Sequence, residues 1–349
     1  IANKEIKNKK FCVNCIQKQE SQLGNCAEMD NIDLSRLDKR LQCELEKAGL
    51  LSCRKIIEMD NTEFQRIGNF SIKDIEDIKT VAANILLPNG FGTAKEAEEI
   101  FMEKWRKITL DCKPIDEILG GGIPVRGITE LFGESGVGKT QICLQLSMTV
   151  QYPLEFGGLN ASAVYICTED RFPTVRLQQM LPYFPVGSPL CRNKMENHNF
   201  ADNILIDHIA DLGGLHNCLF KRLPALIANS DTRIGLVVID SIAAIFRSEY
   251  AMNELINRAN DIRTIGIQLH KLADKYNMAV VCVNQVTDAC DNGITVPALG
   301  LAWANLVTTK LYATMDQNKI RMLQIVHAPH LAPASANFII AESGISAVT

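Results

Sequence analysis

The sequence predicts an α/β fold, a mostly parallel sheet covered by helices, with a small all-helical domain ahead of it. Three observations predict it. From Ile108 onward, short apolar runs of strand length alternate with stretches of helical periodicity. Between one such run, Ile128–Phe132, and one such stretch, Lys139–Gln151, stands the octet GESGVGKT. Residues 35–87, by contrast, carry helical spacing and almost no strand pattern. With 349 residues, 47% of them hydrophobic, the chain has material for one large core and a second, small one.

Residues 1–30 are polar, include the basic run KNKK, and read as a flexible tail. Cys12 and Cys15, with Cys26, suggest zinc, but no second pair or His stands at ligand spacing, so the tail reading is preferred. Residues 31–87 form the helical domain, through LQCELEKAGLL, CRKIIEM, EFQRI and SIKDIEDIKTVAANILL. Ser71 followed by Asp74 opens its last helix, with Ile72, Ile75, Ile78 and Ala82 on one face. Between Arg36 and Lys79, nine Lys/Arg are balanced by nine Asp/Glu, which argues against a strong DNA clamp there. Residues 88–107 are a linker. Pro88, Gly90 and Gly92 break structure, and Thr93 with Glu96 makes a capping box for a short helix. In the core, residues 108–349, strands are expected at 128–132, 164–168, 204–207, 236–240 and 279–284, then near 306–313, 320–326 and 337–341. Residues 182–203 read as a long irregular excursion. A helix from Glu254 to Tyr276 sets Leu255, Ile262, Leu269 and Tyr276 seven apart as a core face.

The formal net charge of −4 gives no bulk positive field to draw nucleic acid. No run approaches the apolar length of a membrane span, and no secretory signal is visible. Cys143 on a helix and Cys167 and Cys282 in strand-like runs read as core thiols of a reduced compartment.

The octet fits G-x-x-x-x-G-K-[ST], from Gly133, Glu134, Ser135, Gly136 and Val137 to Gly138, Lys139 and Thr140, with Gln141 next. Its glycines let backbone N–H groups curl around phosphates. Lys139 reaches the outer phosphates, and the Thr140 hydroxyl ligates Mg2+. The phosphates of ATP then sit at a helix N-terminus, where free N–H groups and the helix dipole favour anions. Other strands supply partners for this loop. LVVID ends in Asp240, a second magnesium contact; taken alone, a strand-end Asp capping a turn reads equally well. VYICTED ends in Glu169, placed to orient an attacking water or take its proton. VVCVNQ ends in Gln285, a neutral amide able to sense the γ-phosphate. Three strands ending in such groups put them at the carboxyl edge, where ligands bind α/β sheets.

Together, GGGIPVRGITELFGESGVGKTQICLQL, YICTED, VVIDSIAAIFRSEY, VCVNQVT and ILLPNGFGTA resemble the RecA-type recombinase core in its eukaryotic and archaeal branch. Residues 35–87 are similar to that branch's helix-hairpin-helix-like N-terminal domain, although IGNFS stands where a tighter Gly-centred hairpin is expected. QYPLEFGGL, YICTEDRFPTVRLQQ, PALGLAWAN and HAPHLAP are most similar to a paralogue acting in homologous recombination. The resemblance implies ATP and Mg2+ as ligands and Glu169 as the catalytic carboxylate. Gln285 then relays nucleotide state to the following loop, and Arg176 stacks on adenine, a surface arginine being the plain alternative. It also implies that FGTA is an F-x-x-A element, with Phe91 and Ala94 docking into a neighbouring ATPase core. The implied partners are another RecA-like paralogue of the C type, the main eukaryotic RecA-like recombinase, and single-stranded or branched DNA, mostly through the complex. The implied place is the nucleus, with the cytoplasm as alternative, and no membrane is involved.

Two loops hold DNA in that family. The first corresponds to residues 246–260, where Arg247 and Arg258 are available for phosphates but Asn253 and Glu254 replace a basic and a small residue. The second, 287–297, has no Lys or Arg and carries Asp288 and Asp291. Few cations mean little counterion release, so DNA binding by the chain alone is expected to be weak. The cap over a neighbour's nucleotide corresponds to HAPHLAP, with His327 where an acidic residue is expected. The resemblance implies an ATP-binding recombination mediator that acts in complex with other RecA-like chains, with a weak, partner-requiring, DNA-dependent ATPase activity. Its rivals are an autonomous strand-exchange recombinase, a switch ATPase unconnected to DNA, and a scaffold that binds ATP structurally.

Overall fold

The protein is described here from a computed structural model covering residues 31–86, 94–95, 105–248, 250, 254–288 and 295–348. Cys12, Cys15, Cys26, Phe91, Thr93, Glu96 and the midpoints of both expected DNA loops lie outside the described residues. The chain divides into two compact units at Glu99–Ile100.

The first unit is helical. Helices α1 (Lys39–Lys47), α2 (Cys53–Glu58), α3 (Asn61–Ile67) and α4 (Ile72–Leu86) each begin where a polar side chain accepts a free N–H. Asp38 accepts from Leu41 and Ser52 from Lys55, while Asp60 and Glu63 form a capping box. Ser71 and Asp74 do the same for α4: Ser71 Oγ accepts from Asp74 N at 3.2 Å, and Asp74 Oδ2 from Ser71 N at 2.8 Å. The core gathers Leu45, Ile56, Phe64, Phe70, Ile75 and Ile78, with Phe64 and Phe70 edge to face at 5.7 Å. Ile72 departs from its expected face and is 60% exposed, because it opens the helix ahead of the residues that pack.

In the second unit the strands are β1 (Lys107–Ile108), β2 (Ile123–Pro124), β3 (Ile128–Phe132), β4 (Ser162–Cys167), β5 (Ile204–His208), β6 (Ile234–Asp240) and β7 (Ala279–Asn284). They continue as β8 (Val286–Asp288), β9 (Thr295–Pro297), β10 (Thr309–Met315), β11 (Arg321–His327), β12 (Ser335–Ala341) and β13 (Gly344–Ala347). Nine build one sheet, in the order β13-β12-β11-β10-β3-β7-β6-β4-β5. Every pair from β10 through β5 is parallel, and β10 to β13 run antiparallel. Alternate residues enter opposite cores: Val281 and Val283 on one face, Val280 and Cys282 on the other. Both faces are therefore covered, as the continuous apolar strands predict.

Helix α5 (Lys139–Thr149) is buried all round rather than along one stripe, including Gln145, Ser147 and Thr149. Gln145 explains how polar residues survive there: its amide donates to the carbonyls of Leu110 and Ile345 and accepts from Ile345 N. Residues 182–203 are less irregular than expected, since Ser188 caps a short helix at Pro189–Lys194 whose first residue is the proline. Helix α6 (Leu255–Tyr276) buries Ile262, Ile265, Leu269 and Leu272, but Leu255 is 64% exposed, so the core stripe starts about two turns later than expected. Cys143, Cys167 and Cys282 are buried free thiols, and burial pushes each one's pKa up.

Candidate nucleotide site

Because β3, β4, β6 and β7 run parallel, their carboxyl ends share one edge, and the octet leaves β3 at that edge. Gly133, Gly136 and Gly138 all take positive φ, at 154°, 81° and 103°. At Gly133 the requirement is also one of space, since a Cβ would stand 2.2 Å from the Ala313 carbonyl oxygen. Gly138 starts α5 with no side-chain cap, leaving the helix's first N–H groups facing the cleft for an anion. Lys139 Nζ donates to the carbonyls of Gly133 at 2.8 Å and Glu134 at 2.6 Å, so the ammonium lies within the loop it would share with a phosphate. Burial lowers its pKa, with Asp240 acting in opposition.

Asp240 ends β6, and one of its oxygens, Oδ2, is the meeting point of two donors. Thr140 Oγ1 lies at 2.8 Å and Tyr165 Oη at 2.7 Å. Burial raises the Asp240 pKa, while both hydroxyls and Lys139 pull it down. A hydroxyl and a carboxylate oxygen side by side suit a hard cation such as Mg2+, which would displace the hydrogen bond between them.

Glu169 lies two residues beyond β4. Gln285 Nε2 donates to both of its carboxylate oxygens at 2.7 Å, and Ser241 Oγ donates at 3.2 Å. Ser241 is itself fixed to β4's end, its N–H donating to Thr168 Oγ1 at 2.8 Å. Gln285 also accepts from Arg247 through its other amide atom, Oε1. The carboxylate, the amide and a guanidinium thus form one chain from the cleft toward residues 246–260.

The cleft has a volume of about 730 Å³ and is lined by the octet except Val137, which is buried in the core, and by Asp240, Glu169 and Gln285 together with Tyr165, Arg171 and Ile340. Arg176 stands beside it. Its donors go to Gln141 Oε1 at 2.7 Å, the Ala341 carbonyl at 2.5 Å and the Glu342 carbonyl at 3.2 Å, joining α5 to the β12–β13 turn. Arg258 is half-buried, with Nε 3.3 Å from the Phe246 carbonyl and Nη2 3.5 Å from that of Ala298. Arg247 is exposed, and Ala94 is exposed on its helical turn. His327 is exposed at the end of β11, whereas His330 packs edge to face on Trp105 at 5.0 Å.

The Rad51 family profile matches residues 103–348, about two thirds of the chain and the whole of the parallel sheet. The chain belongs to the Rad51 family. It is 36% identical to the bovine (Bos taurus) DNA repair protein XRCC3 over 334 residues, covering 90% of this chain and 97% of that one. It is 35% identical to the Arabidopsis thaliana DNA repair protein XRCC3 homolog over 291 residues, 70% of this chain and 93% of that one. To the Schizosaccharomyces pombe DNA repair protein rhp57 it is 29% identical over 355 residues, 90% and 98% of the two chains. The RecA-type sheet expected from the sequence is thereby established for this Rad51-family chain.

Sequence reasoning missed Tyr165 and Ser241. The period-2 alternation of VYIC held the signal for Tyr165, since a residue two before Cys167 shares its face. Ser241 gave none beyond following Asp240. Among the described residues no cluster of His, Cys, Asp or Glu suits a metal, and no helix is long and apolar enough to cross a membrane.

Proposed function

We propose that this Rad51-family chain is an ATP-binding mediator of homologous-recombination repair. In this reading it acts at double-strand breaks, replication forks and branched junctions, in complex with other RecA-like chains. The observation that carries the reading is the convergence of Lys139, Thr140, Asp240, Glu169 and Gln285 on one cleft. The octet and the start of α5 would hold the phosphates, and Thr140 with Asp240 would hold Mg2+, which when bound supplies charge neutralisation on the β- and γ-phosphates. Glu169 would orient and deprotonate the attacking water. Its carboxylate is held in place by hydrogen bonds from Gln285 and Ser241, which orient it toward the cleft. The nuclear place follows from a repair role.

Changing Glu169 to Gln keeps the shape and removes the base. Nucleotide binding, followed with a fluorescent ATP analogue, is expected to persist. Hydrolysis in the presence of a RecA-like partner and DNA should fall at least tenfold. Full turnover in the variant would reduce Glu169 to a structural group.

For DNA, both candidate arginines already have protein partners: Arg247 bonds to Gln285 and Arg258 to two backbone carbonyls. The isolated chain should therefore bind single-stranded DNA weakly, and what binding there is should be salt-sensitive. Tight binding at physiological ionic strength in a filter or anisotropy titration would favour the autonomous recombinase instead.

A further inference from the structure

Glu130 has no part in the reading above, yet it is a fully buried carboxylate on β3, three residues ahead of Gly133. A buried charge is costly unless hydrogen bonds compensate it, so its partners say what it holds. Oε1 accepts from Asn284 Nδ2 at 2.7 Å and from Trp303 Nε1 at 2.9 Å. Oε2 faces Lys310 Nζ, on the neighbouring strand β10, at 3.7 Å. Burial is the main influence on its pKa and raises it.

These donors sit on either side of one excursion of the chain. Asn284 is the last residue of β7, where the β8–β9 hairpin departs, and Trp303 lies on the short helix Gly300–Ala304 just after the hairpin returns. Asn284 uses its remaining oxygen, Oδ1, to accept from the Gln285 backbone N–H at 2.8 Å. The Gln285 carbonyl in turn accepts from Ala298 N at 2.9 Å, closing the hairpin's root. One carboxylate oxygen therefore holds both roots of the hairpin and, through Asn284, the backbone of the residue that touches Glu169.

We propose that Glu130 is a positioning residue: it clamps the root of the β8–β9 hairpin to the phosphate-loop strand and so fixes Gln285 against Glu169. A core carboxylate with only a packing role would have no reason to bond both ends of one surface hairpin through the same oxygen. The part concerning nucleotide rests on the reading of Gln285 as the residue that senses it. Glu130→Gln is the direct variant, since it keeps size but replaces the carboxyl that accepts from both donors with an amide. Trp303→Phe removes a single tether and keeps most of the apolar volume.

The test is hydrogen–deuterium exchange on the full chain, with and without Mg2+ and a non-hydrolysable ATP analogue whose affinity is titrated separately. In nucleotide-free Glu130→Gln, exchange across 283–288 and 295–304 is expected to rise at least tenfold, with the strand segments 162–167 and 234–240 unchanged. Trp303→Phe should loosen 295–304 more than 283–288. In the wild type, nucleotide should alter protection at 283–288, and Glu130→Gln should lose that response while its nucleotide affinity stays within about threefold. Unchanged exchange at both roots in a folded Glu130→Gln overturns the clamp. Should that variant not fold, unchanged exchange in Trp303→Phe overturns it. A wild type that binds the analogue without any response at 283–288 sinks the sensing role of Gln285 and leaves the clamp to stand on the nucleotide-free result.

Discussion

Lys139→Ala should weaken Mg2+–ATP binding roughly ten- to hundredfold. The ammonium is a charge-assisted donor placed inside the phosphate loop, bonded to the carbonyls of Gly133 and Glu134 until a phosphate oxygen competes for it. A charged hydrogen bond of this kind is worth about 1.5–3 kcal/mol, and each 1.4 kcal/mol is a factor of ten. The variant has a second consequence through Asp240. Burial already holds that carboxyl above its ordinary pKa, and Lys139 opposes the shift. Without Lys139 the shift grows. A carboxyl raised in the folded state stabilises the fold at low pH, and this contribution is lost as pH rises from the unfolded pKa through the folded one. The thermal deficit of Lys139→Ala against wild type should therefore be larger at pH 7 than at pH 4. Unchanged nucleotide affinity in a calorimetric titration would remove the octet from the site.

How much of this was legible beforehand depends on how far apart in sequence the interacting groups stand. The octet reads locally: strand, three glycines, Lys-Thr and helix all fall within about 25 residues, and each obeys a short-range rule. The strand ends bearing Asp240, Glu169 and Gln285 were legible as polar groups closing apolar runs, because a parallel strand covered on both faces is mostly apolar along its length. Pairwise geometry was not legible. Nothing in the sequence says that Tyr165 reaches Asp240 or that Arg258 turns inward to the Phe246 and Ala298 carbonyls, since both depend on sheet order and helix rotation. The same holds for Glu130. Inside ITELF it looks like a polar interruption of a buried strand, and its reason appears only when β7 and the helix after β9 are placed beside it. Ile72 and Leu255 failed in the opposite direction: their spacing fits a core stripe, but each is the first residue of its helix and is exposed.

Phe91→Glu should abolish capture of a RecA-like partner, or weaken it at least thirtyfold, while leaving the melting temperature of the isolated chain unchanged. Phe91 lies outside the described residues. In FGTA the aromatic sits between two glycines and outside any apolar stripe, which gives it no place in a helix face of its own chain. Ala94, three residues on, is exposed, so the small residue of the pair is unburied in the isolated chain. A bulky aromatic and a small residue at this spacing suit a pair of pockets on a second ATPase core. An anchored Phe contributes at least about 2 kcal/mol to such an interface, which is the thirtyfold stated, and a carboxylate forced into the pocket adds its desolvation cost. Sedimentation of wild type and variant with the same RecA-like partner gives the first number, and thermal melts of each chain alone give the second. A variant that melts well below wild type, with wild type itself monomeric beside every RecA-like chain tried, would place Phe91 in this protein's own core. The mediator role would then lose its main support, because the other segment that would face a neighbouring subunit, HAPHLAP, carries His327 where an acidic residue is expected.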